Sequence, residues 1–172
     1  MFDNARMKHS VVVMGVAGCG KSSLGVALAQ AEGVRLIEGD EFHPASNRDK
    51  MRQGIALTDE DRWGWLDRLG AELRARSEPA VLTCSALKRA YRDRLRAAVP
   101  GLRFVFMEID RASARARLEA RSAHFFSPSL IDSQFAALEA PMDEARVLRV
   151  DALTPLPQLQ KVVSAWLQEI GV

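Results

Sequence analysis

The feature that most constrains this chain is an octapeptide near its start, GVAGCGKS, at residues 15–22. It follows the β-branched run SVVVM and precedes KSSLGVALAQAEG, which has the composition of a helix. The octapeptide matches the pattern G-x-x-x-x-G-K-[S/T], whose glycines let the backbone approach a phosphate closely. A buried strand, a glycine-rich turn and a helix in this order predict a phosphate-binding loop in an α/β domain.

Each residue type in this loop has a physical reason. The glycines remove Cβ atoms that would keep a phosphate from the backbone, and the amides of residues 18–22 can point inward as an anion nest. We expect Lys21 to reach the β- and γ-phosphates and the Ser22 hydroxyl to ligate Mg²⁺. Cys19 is expected to contribute only its backbone amide. The predicted nucleotide-binding residues here are Gly15, Val16, Ala17, Gly18, Cys19, Gly20, Lys21, Ser22 and Ser23.

Strand-like and helix-like runs alternate along the rest of the chain. The predicted strands are residues 10–15, 34–39, 80–84, 102–109 and 146–151. Within the helical segment 58–77, Thr58 and Asp61 are spaced like a capping box. This alternation predicts one three-layer α/β domain, residues 1–172, with a five-stranded parallel sheet and helices on both faces. The polar segment at 39–51 is predicted to be a loop.

Composition narrows the classes of partner. The 172 residues carry 24 basic and 22 acidic side chains, and a formal charge of +2 is too small to indicate nucleic acid or an anionic membrane. No run has the length and apolar character of a membrane span or a signal segment. Two cysteines in unrelated contexts favour free thiols and a cytoplasmic location.

A carboxylate candidate follows the second predicted strand. Ligands of open parallel sheets bind beyond the carboxyl ends of the strands, so Asp40 is expected to lie near the phosphate loop. A carboxylate there can orient an acceptor hydroxyl and take its proton. Glu38, two residues earlier on the same side of the strand, is a candidate to hold a water bound to Mg²⁺.

The phosphate loop alone leaves three classes open: a kinase, a switch GTPase and a motor ATPase. The base-reading motif N-K-x-D of switch GTPases is absent from the sequence. The run AVLTCSAL lacks the acidic end typical of motor ATPases, although FVFMEID ends in Glu108 and Asp110, so that exclusion is partial. The length and Asp40 favour a small kinase.

A kinase also needs cations on the transferring phosphoryl group and a lid that excludes water. Arg117 and Arg121 are four residues apart on one predicted helix face and lead into a break at Pro128. We expect these two cations to stabilise the transferring phosphoryl group, with Arg121 acting in catalysis, and we expect a lid at about 121–130. Its predicted tip contains His124, Phe125 and Phe126.

Longer segments resemble a known family. The stretches MGVAGCGKSSLG, GDEFHPASNRDKMRQGIALTDEDRWGWL, CSALKRAYRDRLR and RSAHFFSPSLIDSQFAALEAP are together similar to the bacterial-type gluconokinases, which are related in fold to shikimate kinase. The resemblance implies ATP- and Mg²⁺-dependent phosphorylation of D-gluconate at its 6-hydroxyl. It also implies a homodimer.

The same resemblance implies a substrate site at about 39–62. There Asp40 faces the acceptor hydroxyl and His43 and Arg62 lie near the sugar acid, while Lys88 and Gln134 come from elsewhere to the same cleft. The resemblance also implies that Arg117 and Arg121 lie around the nucleotide. The cation that holds the substrate carboxylate is left open among the basic residues of this region: Arg48, Lys50, Arg62, Lys88 and Arg89.

Two alternatives stay open from the sequence. One is a related kinase that acts on shikimate or another sugar acid, because the phosphate loop does not select the acceptor. The other is a regulatory protein that binds ATP without transferring its phosphate.

Overall fold

A computed structural model of the protein describes residues 7–121 and 128–169. The strands are β1 Val11–Met14, β2 Arg35–Glu38, β3 Ala80–Thr83, β4 Arg103–Glu108 and β5 Val147–Asp151. The helices are α1 Lys21–Glu32, α2 Ala45–Arg52, α3 Asp59–Arg74, α4 Arg89–Ala98, α5 Arg111–Ala120, α6 Pro128–Ala137 and α7 Leu156–Gln168.

The five strands form one parallel sheet in the order β2-β3-β1-β4-β5. In the centre of the sheet, Val12 of β1 lies beside Leu82 of β3 and Phe104 of β4. The carboxyl ends of β1, β2 and β3 therefore meet at one edge, as predicted. This arrangement confirms the α/β kinase-type fold expected from the sequence.

Helices cover both faces of the sheet because alternate strand residues point in opposite directions. On one face, Val13 joins a core with Leu28 of α1 and Val163 of α7. On the other face, Met14 joins a second core with Leu69 of α3. The three-layer architecture follows, and α3 begins with the predicted capping box, in which Thr58 and Asp61 exchange backbone-to-side-chain hydrogen bonds.

The turn between β3 and α4 is held by Arg92, whose side chain is completely buried. Its guanidinium donates to the carbonyl oxygens of Ala86, Leu87 and Glu139 at 2.8–3.0 Å. It also pairs with both carboxylate oxygens of Glu144, at 2.9 and 2.6 Å. All five N–H groups are thus satisfied inside the protein.

One prediction about this fold is wrong. Residues 39–51, expected to be a loop, contain a 3-10 turn at Gly39–Phe42 and the helix α2. Asn47 is the single α2 residue that is fully buried. A helix without an apolar stripe produces no hydrophobic periodicity, so the pattern on which sequence reading depends is missing.

The predicted lid at 121–130 is described only at its ends. Helix α5 stops at Ala120 and α6 begins at Pro128, while His124, Phe125 and Phe126 lie outside the described residues. Across residues 7–121 and 128–169, none of the helices combines the length and apolarity that crossing a lipid bilayer requires.

Candidate active site

The phosphate loop, residues 15–22, joins β1 to α1 at the carboxyl edge of the sheet. Gly18 has a φ of 86°, and a Cβ atom there would lie 2.7 Å from the carbonyl oxygen of Ala114 in α5. A side chain at this position would push the loop away from α5, so the glycine is required by both conformation and space.

Lys21 lies over the loop that precedes it. Its Nζ donates to the carbonyl oxygens of Gly15 at 3.0 Å and Val16 at 3.2 Å. The ammonium group is thus held at the cavity that the loop borders.

Ser22 and Glu38 bring two oxygen groups together beside the loop. The Ser22 hydroxyl donates to Glu38 Oε2 at 3.1 Å, and the Thr83 hydroxyl donates to the same oxygen at 2.5 Å. A carboxylate from β2 and a hydroxyl from α1 are therefore adjacent, which is the kind of oxygen-rich arrangement that Mg²⁺ prefers.

A cavity separates the phosphate loop from the segment that follows β2. Of the predicted site residues, those in its lining include Lys21, Ser22, Asp40, His43, Arg62, Arg121 and Gln134. Apolar side chains complete parts of the wall: Met51, Ile55, Leu57, Leu118 and Leu130. The cavity therefore contains a phosphate cradle on one side and acidic, basic and imidazole groups on the other.

Gly39 forms the close turn after β2 that places Asp40 at this cavity. A Cβ atom on Gly39 would lie 2.2 Å from the carbonyl oxygen of Thr83, so only glycine lets the chain turn this close to β3. Trp65 Nε1 donates to the Gly39 carbonyl at 2.8 Å and fixes the turn. The Asp40 side chain, 73% exposed, is free to face a ligand.

His43 is buried behind Asp40. Its ring stacks on Trp65 with centroids 4.0 Å apart, and its Nδ1 lies 3.2 Å from Asn47 Nδ2. Burial lowers the pKa of His43 to about 4, against the opposing effect of Asp40 and with smaller contributions from Arg62 and Arg48. The imidazole is therefore neutral near pH 7.

This burial predicts that stability falls in mild acid. Between pH 6.5 and 4 the unfolded chain protonates His43 and the folded protein does not, so the free energy of unfolding decreases as pH falls. The contribution reaches at most about 3 kcal/mol. When urea unfolding is measured at several pH values in this range, the free energy of unfolding should fall more steeply with decreasing pH in the wild type than in His43→Leu. Equal slopes would contradict the assignment, since both proteins share every other titrating group.

Arg62 is placed against an aromatic ring at the cavity wall. Its guanidinium carbon lies 5.3 Å from the Tyr91 centroid, and its buried Nε has no hydrogen-bond partner among residues 7–121 and 128–169. The Tyr91 hydroxyl and Lys88 Nζ both donate to Asp59, the latter at 3.0 Å. Lys88 is thereby paired with a carboxylate, whereas Arg62 lies in the cavity lining.

Gln134 connects α6 to the phosphate loop. Its Oε1 accepts a hydrogen bond from the Ala17 amide at 2.6 Å, and its side chain lines the cavity. The residue therefore borders both the loop and the space in front of it.

The two predicted cations at the end of α5, Arg117 in its last turn and Arg121 just after it, are differently placed. Arg117 donates to the carbonyl oxygens of Cys19, at 3.1 Å, and Ala152, at 2.9 Å, so it ties the phosphate loop to the segment after β5. Arg121 lines the central cavity and also a second depression beside the loop. Ser23, Arg117 and Leu156 border that depression.

The structure thus brings most of the predicted site together. Lys88 lies outside the cavity lining and Arg89 is exposed, paired with Asp93 at 3.7 Å. Their contact with a substrate stays a prediction.

Sequence reasoning counted Asn47 only among the polar side chains available to a polyol acid, not as a buried partner of His43, and it gave no role to the ring of Tyr91 under Arg62. A signal for the first existed, because His43 and Asn47 are four residues apart around Pro44. Tyr91 gave no such signal, because Asp59 and Arg62, the residues that connect it to the cavity wall, lie about 30 positions away in the sequence.

A phosphate loop of this geometry at the carboxyl edge of an open parallel sheet defines a P-loop nucleotide-binding protein. A family model described as an AAA domain matches residues 11–145.

Named relatives identify the family more narrowly than this model does. The thermosensitive gluconokinase of Escherichia coli K12 is 42% identical over 147 residues, covering 83% of this chain and 79% of the relative. The gluconokinase of Gluconobacter oxydans is 44% identical, covering 81% and 80%. The crystal structure of a gluconokinase from Sinorhizobium meliloti 1021 superposes with a TM-score of 0.88 at 47% identity, covering 94% and 93%. The chain belongs to the gluconokinase family, and is thus a kinase.

Proposed function

We propose that this protein transfers the γ-phosphate of ATP to the 6-hydroxyl of D-gluconate, giving 6-phospho-D-gluconate and ADP. The observation that carries the proposal is the single cavity in which the phosphate loop faces Asp40, His43 and Arg62. A polyol acid requires several hydrogen-bonding groups and a cation, and this wall offers both. The family relatives, which are named gluconokinases, support the same acceptor.

The donor-side residues fit ATP with Mg²⁺. We assign residues 15–23 and Arg117 to the nucleotide and the Ser22 hydroxyl to the ion, with Glu38 acting through a water. Within residues 7–121 and 128–169 there is no cluster of three or more His, Cys, Asp or Glu able to hold a metal, which suits an ion bound largely by phosphate oxygens and water. Bound there, Mg²⁺ would neutralise charge on the β- and γ-phosphates.

Transfer then depends on positioning. Asp40 orients the acceptor hydroxyl towards the γ-phosphate and accepts its proton as the new O–P bond forms. Lys21 and Arg121, both in the cavity lining, stabilise negative charge on the transferring group. His43 and Gln134 supply polar contacts to the substrate, and closure of a lid at about 121–130 excludes water.

Among the cations near the cavity, Arg62 is the one we assign to the carboxylate of gluconate. Arg62 lines the cavity, and a guanidinium matches a carboxylate with two parallel hydrogen bonds. Lys88 is already paired with Asp59. We retain Lys88 as a residue at the edge of the substrate site.

Arg62→Gln is expected to lower kcat/KM for gluconate about 10²-fold, because a charge-assisted pair in a partly buried site contributes roughly 1.5–3 kcal/mol. Glucitol has the same polyol chain with an alcohol in place of the acid. The kcat/KM for glucitol, which should be much lower than that for gluconate in the wild type, should change less than about threefold in Arg62→Gln. Arg74→Gln, at the far exposed end of α3, is the matched control and should leave both values unchanged. An equal loss for both acceptors would assign Arg62 a role other than carboxylate binding.

The acceptor itself is tested with the wild-type protein. ATP-dependent product formation is measured for gluconate, shikimate and several other sugar acids, and the acceptors are ranked by kcat/KM. Gluconate should be preferred by at least about a hundredfold. Preference for another acid would support the related-kinase alternative, and ATP binding without any phosphorylated product would support the regulatory alternative.

Three further assignments accompany the function. We propose one kinase domain spanning residues 1–172, a cytoplasmic location in keeping with the two free cysteines, and a homodimer. Sedimentation equilibrium measures the last directly: a mass near 38 kDa, twice the 19.0 kDa of the chain, is expected.

A further inference from the structure

Two groups at the acceptor side of the cavity could take a proton. Asp40 carries a carboxylate, and His43 Nε2 lies 3.9 Å from Asp40 Oδ1. Imidazole is the commonest general base in enzymes, so proximity alone does not choose between them. The choice depends on which ring nitrogen of His43 already carries a proton.

Asn47 decides that question through two contacts of one atom. Its Nδ2 lies 2.8 Å from the backbone carbonyl oxygen of Asp61 and 3.2 Å from His43 Nδ1. A carbonyl oxygen only accepts hydrogen bonds, so the Asn47 atom beside Asp61 must be the NH₂ group. An NH₂ group only donates, so His43 Nδ1 must be the acceptor and must lack a proton. A neutral imidazole then carries its proton on Nε2.

The surroundings prevent the amide and the ring from exchanging orientation. Asn47 is 2% exposed and His43 is 6% exposed. Trp65 stacks on the His43 ring with an interplanar angle of 17°. Asp61 is itself fixed by the capping box of α3 and by an ion pair with Lys50 at 2.8 Å. Rotation of either group would leave a buried donor or acceptor unsatisfied.

We propose that Asn47 is a positioning residue that fixes His43 in the form protonated on Nε2, so that His43 donates a hydrogen bond at the acceptor site and Asp40 alone accepts the hydroxyl proton. The proposal rests on the phosphotransfer function assigned to this cavity. The low pKa of His43 agrees with a neutral donor. At 3.9 Å, Nε2 is too far from Asp40 for a hydrogen bond, so its proton is available to a substrate oxygen.

The tautomer is measured by ¹⁵N–¹H correlation spectra of histidine-labelled protein at pH 7, with His43→Leu used to assign the signal. The wild type should show His43 protonated on Nε2. Asn47→Asp keeps the shape but can only accept, so the proton should move to Nδ1 or a second proton should bind. Asn47→Leu, which neither donates nor accepts, should give a mixture. A wild-type His43 protonated on Nδ1, or signals unchanged in both variants, would overturn the proposal.

Kinetics separates positioning from general support of α2. In the wild-type background, Asn47→Leu is expected to lower kcat about tenfold with little change in KM for ATP. In the His43→Leu background, the same substitution is expected to lower kcat less than about twofold. His43→Gln, which retains a distal N–H donor, should keep more activity than His43→Leu. Asp49→Leu places the same new side chain on the exposed face of α2 and should leave kcat unchanged.

If Asn47→Leu lowered kcat equally in the wild-type and His43→Leu backgrounds, Asn47 would only support the fold, and the proposal would be wrong. Failure of the assigned function is distinguishable, because a protein without gluconate turnover would still report its His43 tautomer in the spectra.

Discussion

Asp40→Asn should lower kcat for gluconate phosphorylation by about 10³-fold or more, since Asp40 is the only acidic residue that the described parts of the chain contribute to the cavity lining. Asparagine has nearly the same shape and can still accept a hydrogen bond, so substrate binding should change much less than turnover. The Asp40 side chain is 73% exposed, and the fold does not depend on it. The measurement is a coupled assay of 6-phosphogluconate formation, with ATP affinity determined separately by calorimetry.

The neighbouring carboxylate provides the control. Glu41→Gln removes the same charge one residue away, at an exposed position, and should retain most activity and ATP affinity. If Asp40→Asn kept more than about a tenth of the wild-type kcat, a general-base role would be untenable. Loss of ATP binding in Asp40→Asn would also contradict it, because Asp40 is assigned to the acceptor alone.

Arg92→Met is expected to have the largest effect on stability, a loss of about 3–5 kcal/mol in the free energy of unfolding. The substitution removes the Arg92 donors from the carbonyl oxygens of Ala86, Leu87 and Glu139, of which Leu87 still accepts from the Glu139 amide at 2.8 Å, and it removes one cation from Glu144. Burial alone would raise the pKa of Glu144, and hydrogen bonds from Arg92 and Arg96 outweigh it and lower that pKa. Urea denaturation followed by circular dichroism measures the change.

Arg94→Met is the matched control on the same helix. Arg94 pairs with Asp67 at 2.7 and 2.8 Å, but both side chains are substantially exposed, so its loss should cost less than about 1 kcal/mol. Adding Glu144→Leu to Arg92→Met should recover part of the stability, because the double variant no longer buries a poorly compensated carboxylate. If Arg92→Met and Arg94→Met lowered the free energy of unfolding by similar amounts, burial of Arg92 would not explain its contribution to stability.

The strands, the sheet and the phosphate loop could be predicted because their signals are local. Buried parallel strands such as β1 and β4 appear as uninterrupted apolar runs, and the loop has its own spacing of glycines around Lys21. Asp40 was predicted for the same reason: it follows a strand whose end must lie at the ligand edge.

The rest depended on contacts between distant parts of the chain. The contact of Gln134 with Ala17 spans 117 residues, and that of Arg117 with Cys19 spans 98. Sequence spacing says nothing about such pairs. Helix α2 was missed because polar contacts, not apolar burial, hold it in place.

That property of α2 has a consequence for turnover. The donor side of the cavity is built on β1 and α1, whose displacement would expose the hydrophobic core. The acceptor side is attached through the amide of Asn47 and the ion pair of Lys50 with Asp61, contacts that water can replace. A movement that admits the acceptor or releases its phosphorylated product is therefore expected to cost less free energy at this polar wall than at the nucleotide cradle.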